Sequence, residues 1–128
     1  MIKRSYRYIK QLIDVQKLLD DFDNRFLLVS QRKYNGKIVD GKVITPEGVS
    51  VTVQILTDRS DPVVNKNTGK IMDDNKFETF DVTILGASYP LPLKKGDIVS
   101  FHDFESDSSY YVDFNLILRF KGIEKVEE

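Results

Sequence analysis

The sequence predicts a mainly β fold, a small antiparallel barrel preceded by one N-terminal α-helix. Three observations predict it. Apolar and polar residues alternate in GVSVTVQILTD (48–58), FETFDVTIL (77–85) and IVSFHDF (98–104), the period of a half-buried strand. Gly, Pro, Asn and Asp clusters separate these runs, as turns require. The first 24 residues differ in texture, with apolar residues at steps of three and four.

The elements follow in chain order. Ile9, Leu12, Ile13, Val15, Leu18, Leu19 and Phe22 form one stripe uninterrupted by Gly or Pro, which predicts a helix over Ser5–Asp21 that Asn24 helps to end. RFLLVSQ (25–31) is a short apolar run and reads as a strand. Val39-Asp40-Gly41-Lys42 is the turn of a hairpin between Lys37 and Thr45, and Pro46-Glu47-Gly48 is a second turn. Val49, Val51, Val53 and Ile55 then fall on one face of a strand, with Ser50, Thr52 and Gln54 opposite. Arg59 to Lys76 is a long polar connection with a short hairpin around Asn67-Thr68-Gly69. Loops of this length are often functional. Phe80, Val82 and Ile84 line the inner face of the next strand, and Gly86–Pro92 is a turn region. In LKKGDIVSFHDFE (93–105), Gly96 and Asp97 suit a tight turn into a strand over Ile98–Phe104. After a hairpin loop at Glu105–Ser108, one long strand is expected from Tyr110 through Lys121, with Gly122 permitting a bulge or bend. A long bent strand favours closure into a barrel. The expected organisation is a helical segment over residues 1–24 and a β-barrel domain over 25–128.

Composition narrows the function. The chain has 128 residues, enough for one domain with a real core. Nineteen Lys and Arg against twenty Asp and Glu give a net charge of −1, which argues against a strongly basic clamp or a polybasic membrane binder. With no cysteine there is no disulfide, thiolate catalysis or Cys-ligated zinc. The expected address is the cytoplasm: no apolar run is long enough to span a membrane, and MIKRSYRYIKQLID lacks the apolar core of a signal peptide. His102 is the sole histidine, so a two-His metal site is excluded, and it reads as structural or solvent-facing. Asp73-Asp74 and Asp20-Asp21 lack calcium-loop spacing. No catalytic residue, metal site or cofactor is expected.

Aromatic residues beside cations suggest a binding surface. The chain has no Trp but six Tyr and eight Phe, several next to Lys or Arg. Rings stack on bases while cations track phosphates, which is what a single-strand binder needs. Phe77, Tyr111 and Tyr34 are the stacking candidates. Arg32, Lys33, Arg59, Lys76, Arg119 and Lys121 are the candidates for phosphate contact. In a continuous last strand, Tyr111 shares a row with Arg119 and Lys121. The plain alternative is that Tyr and Phe are strand formers and that solvent faces carry Lys and Arg in any case. The apolar stripe of the N-terminal helix needs burial, within the chain or between copies, so homo-oligomerisation through that helix is expected.

With these elements in place, the layout from Gly48 to Val126 resembles OB-fold single-stranded-DNA-binding proteins, in particular the small ones of conjugative plasmids, integrative elements and phages of Gram-positive bacteria. GVSVTVQILTD, the long polar loop, KFETFDVTILG, LKKGDIVSFHDFE and YYVDFNLILRFKGIEKV carry the resemblance. Leu93 to Val99 stands where such proteins commonly have a Gly-Asp turn before the fourth barrel strand. The resemblance implies an OB-like barrel and non-catalytic binding of single-stranded DNA during replication or conjugative transfer of a mobile element. Residue types alone do not separate DNA from RNA, because that rests on 2′-hydroxyl contacts. The chain departs from the usual pattern in having no Trp, and KVEE is too short for a partner-recruiting acidic tail. The alternative from another class is a structural or protein-interaction module of a phage or plasmid assembly.

Overall fold

The computed structural model describes residues 1–8, 12–113 and 115–126, with the backbone alone at Tyr6 and Tyr8. Ile9 of the expected helical stripe and Phe114 of the expected last strand lie outside the described residues.

Among the described residues, eight strands follow one short α-helix. They are β1 Phe26–Tyr34, β2 Lys37–Val39, β3 Lys42–Thr45, β4 Gly48–Ile55, β5 Thr79–Leu85, β6 Ile98–Phe104, β7 Tyr110–Val112 and β8 Asn115–Lys125. The main sheet runs β5-β4-β1-β6-β8-β7, and a β5–β8 pairing closes five of these strands into a ring. The sheet is antiparallel, as expected, except where the ring closes. β5 and β8 pair in parallel, Val82 opposite Leu118 and Ile84 opposite Phe120. β2 and β3 form a separate hairpin, turned by Asp40 and Gly41, both at positive φ. That is the conformation a two-residue hairpin turn demands.

The core fills the ring. Phe26, Leu28, Val49, Val51, Val53, Val82, Ile84, Val99, Leu118 and Phe120 are each 2% exposed or less. Burying each such side chain contributes about 1.5–3 kcal/mol. Phe26 meets Phe80 at 5.3 Å and Phe101 at 5.4 Å between ring centroids, and Phe101 stacks on Phe120 at 5.1 Å. The alternation read in β4 is realised: its four apolar residues point inward and its polar ones outward.

The N-terminal segment corrects the expected helix. A 3-10 turn spans Ser5–Tyr8, and the α-helix, α1, spans only Val15–Asp21. Asp14 takes the N-cap position, its carboxylate accepting from the Lys17 N–H at 3.1 Å. A strong capping side chain within the stripe starts the helix late. Val15, Leu18 and Leu19 pack on the core, and Phe22 belongs to it, meeting Phe26 edge-to-face at 6.2 Å. α1 therefore covers the end of the ring where β1 begins and β4 ends. Among the described residues of the stripe, Ile13, Val15, Leu18, Leu19 and Phe22 are engaged within the chain and Leu12 is exposed. Asn24 does end this segment. At φ 45 it donates its N–H to the Leu19 carbonyl, and its side-chain amide exchanges two 2.9 Å hydrogen bonds with the Phe101 backbone.

The expected last strand is in fact two. The chain reverses between Val112 and Asn115, which pair with each other, with Asp113 at φ 50. Asp tolerates the left-handed region, so the turn is made without Gly. Beyond it, Gly122 supports a bend but no bulge. The β6–β8 register is continuous from Val99↔Lys125 to Phe104↔Phe120. Yet the residues that meet the core step by three on both strands, from Phe101 to Phe104 and from Phe120 to Ile123. Asp103, at φ 57, absorbs the change of face on β6. Gly122 leaves room for the His102 ring, which lies where its Cβ would stand.

Candidate nucleic-acid interface

Two local features set which side chains reach the outer face of the ring. The β1–β4 register shifts between Leu28 and Ser30, so Arg32 and Tyr34 face outward opposite Ser50 and Gly48. Lys33 pairs with Val49 and therefore belongs to the other face. On β8, Arg119 pairs with Thr83 of β5, again outward, and Lys121 shares its parity.

Tyr34 and Arg119, 85 positions apart, meet on this face. The Arg119 guanidinium donates to the Tyr34 hydroxyl at 3.4 Å and to the Ser108 carbonyl at 2.6 Å. Its central carbon lies 5.8 Å from the Tyr34 ring centroid and 5.7 Å from that of Tyr110. The hydroxyl contact puts the cation toward the oxygen end of the Tyr34 ring. The Arg119 Nε and the Ser108 Oγ are buried with no hydrogen-bond partner. Tyr110, which the sequence reading missed, thus belongs to the cluster. Its only signal was the adjacency of Tyr110 and Tyr111, and the unforeseen reversal at Asp113 gave it its place.

Arg32 is held beside this cluster by exposed partners. It pairs with Asp81 at 3.2 Å and donates to the Thr52 hydroxyl at 3.1 Å, while Thr52 donates to Asp81 at 2.6 Å. An exposed pair of this kind contributes only about 0–1 kcal/mol, so a phosphate competes readily for Arg32. Lys121 pairs with Glu105 at 3.2 Å. Tyr111 lies apart from Tyr110, on an open groove of about 1040 Å³ between α1, the outer faces of β4 and β5, and the β7–β8 hairpin. That groove carries Asp14, Asp21, Glu78 and Asp81 against Lys17 and Arg32. Lys17 is itself bound by Asp21 at 2.8 Å, which raises its pKa. Carboxylates therefore outnumber cations along the groove, four to two.

The remaining candidates sit elsewhere. Phe77 is 62% exposed, at φ 72, with Lys76 over its ring at 5.6 Å. Gln54 donates to its carbonyl, which places it at the far end of β4 from Tyr34, roughly 20 Å along the strand. Arg59 pairs with Asp23 at 3.0 Å, at the α1 end. Asp58 links the two ends of the long connection, accepting from Ser60 and from the Asn75 N–H. Those bonds, Ser60 first, hold its carboxyl below the usual carboxylate range. The hairpin expected there is present, with Val64 bridged to Ile71. His102 is solvent-facing and contacts Asp103 at 2.9 Å.

Among the described residues, no group of three or more His, Asp or Glu side chains is placed to hold a metal ion. None of their helices is long and apolar enough to cross a membrane. Comparison with protein-family models, curated proteins and solved structures finds no match to the chain.

Proposed function

We propose that this protein is a non-catalytic cytoplasmic binder of single-stranded DNA. It uses the outer face of an OB-like barrel and serves to protect or present the strand during replication or transfer of a mobile element. The observation that carries this reading is the convergence of Tyr34, Tyr110 and Arg119, with Arg32 beside them, on one face of a closed five-stranded ring. Rings able to stack on bases and cations able to meet phosphates are the two components of sequence-tolerant single-strand binding. The closure supports the barrel reading too, because β1-β4-β5-β8-β6 returning to β1, with one parallel pair, is a five-stranded closed order. The acidic groove and the separation of Phe77 from Tyr34 favour a strand path at the Tyr34 end. Arg32 and Lys121 are its phosphate contacts, Lys33 lies on the opposite face of β1, and Tyr111 lies on its margin. Arg59, Lys76 and Phe77 lie outside this path.

Ultraviolet crosslinking to oligo-dT with peptide mapping tests the assignment. Crosslinks are expected in peptides containing Tyr34 and Tyr110–Tyr111. Crosslinks confined to residues 59–77 would refute this face.

A second reading, a protein-interaction module of a phage or plasmid assembly, is favoured by two apolar hairpins. Ile38 and Val43 on the β2–β3 hairpin are 67% and 66% exposed, and Val63 and Ile71 on the long connection are 62% and 71% exposed. Polar substitution at Ile38 and Val43 separates the readings: it abolishes self-association or partner capture in this one, and leaves oligo-dT binding intact in the first.

A further inference from the structure

We propose that Arg119 acts on the single strand as a positioning residue, holding Tyr34 and Tyr110 as a two-ring base platform, and makes no phosphate contact of its own. The inference rests on the single-strand reading of this face. Adjacency in the sequence puts Arg119 among the phosphate-binding cations, but its surroundings point to a different role.

The guanidinium is already committed. One terminal nitrogen donates to the Ser108 carbonyl at 2.6 Å, the other to the Tyr34 hydroxyl at 3.4 Å, and Nε is buried. The Arg119 backbone is fixed as well, its N–H donating to the Ser109 hydroxyl at 3.0 Å while that hydroxyl donates to the Glu105 carbonyl at 2.7 Å. With two of its five N–H groups engaged and a third buried, this fork offers a phosphate less than a free guanidinium does. Arg32, by contrast, would give up only an exposed carboxylate and a threonine hydroxyl.

What the fork does instead is join three elements. It ties the end of β1, through Tyr34, to the loop before β7, through Ser108, and it lies against the Tyr110 ring at 5.7 Å. Tyr110 is 49% exposed, so one side of the ring is braced by the cation while much of it remains open to a base. A planar group with several donors in fixed directions suits this bracing. The ammonium of Lys, a point charge on a flexible stem, does not.

The test compares Arg119→Lys, Tyr34→Phe and Tyr110→Leu with the wild-type protein, by anisotropy of labelled oligo-dT across a salt series. Tyr110 is exposed, and its substitution spares the core. Each variant is expected to lose about 5-fold or more in affinity, with the slope of log affinity against log salt unchanged. Loss of a phosphate contact reduces that slope by about 0.7 on a single strand. The inference is overturned if Arg119→Lys keeps wild-type affinity, if the slope falls with Arg119, or if Tyr110→Leu binds as wild type. The single-strand reading survives all three of those results. Absence of wild-type binding defeats both.

Discussion

Alanine at Gly48 tests how closely the ring must close beside the candidate face. Gly48 opens β4, opposite Tyr34 on β1 and Leu85 on β5. A Cβ built there overlaps the Ile84 carbonyl oxygen and stands 3.0 Å from its carbon and 3.1 Å from the Leu85 Cα. Carbon atoms sit comfortably at roughly 3.5–4.0 Å, and all three neighbours are backbone. The methyl can be accommodated only by parting β4 from β5. Overpacking of this kind costs about 1–3 kcal/mol, and each ladder hydrogen bond lost adds about 1 kcal/mol. Gly48→Ala is therefore expected to cost about 3 kcal/mol, a fall of roughly 10 °C in Tm for a chain of this size. Gly122 is the internal comparison. The three atoms nearest a Cβ there all belong to the His102 ring, whose side chain is 50% exposed and can swing aside for about 1 kcal/mol. Urea and thermal unfolding of Gly48→Ala, Gly122→Ala and Gly122→Ala/His102→Ala, followed by far-UV circular dichroism, measure the contrast. The double variant should recover part of the Gly122→Ala loss. A Gly48→Ala protein within 0.5 kcal/mol of wild type, or as stable as Gly122→Ala, would refute the reasoning.

Three further outcomes follow from single contacts. Asn24→Ala removes both hydrogen bonds to the Phe101 backbone and a residue suited to φ 45; a loss of about 2–3 kcal/mol is expected in urea unfolding, and a loss under 0.5 kcal/mol contradicts the link between α1 and β6. Asp58 is held low by Ser60 and Asn75, so its contribution is complete above the unfolded carboxylate value of about 4 and disappears as pH falls through the folded value. Asp58→Asn should then lower stability at pH 7 and flatten the acid side of the stability profile, whereas an unchanged acid limb is the opposing result. Asp81→Asn frees Arg32 from its carboxylate partner and should tighten oligo-dT binding several-fold at low salt, with the gain fading as salt screens it; weaker binding would show that Asp81 holds Arg32 in its working position.

The parts of this fold legible in the sequence are those where one periodicity and one turn signal agree. β4 is the clearest, because Val49, Val51, Val53 and Ile55 are inward and nothing interrupts them. Asp40-Gly41 announces its hairpin by residue type alone. The misreadings share a cause: a short-range conformational choice hidden inside a good pattern. Tyr110 to Phe120 alternates without fault, yet the chain reverses at Asp113, a residue that reaches positive φ without Gly. The stripe from Ile9 to Phe22 has helical spacing, yet Asp14 caps a helix that starts only at Val15. For the site, the register shift after Leu28 separates Lys33 from Arg32 and Tyr34, and no side-chain pattern marks it. Strand parity puts Arg119 on a row with Lys121, but its partners lie on β1 and in the loop before β7, and sequence adjacency does not reveal them.

Binding of labelled oligo-dT, oligo-rU and duplex DNA of matched length, at low and moderate salt, is the most direct test of the central claim. The account predicts tight binding to oligo-dT over duplex that weakens as salt rises. No binding to either single strand at micromolar protein, or equal affinity for duplex, would contradict it.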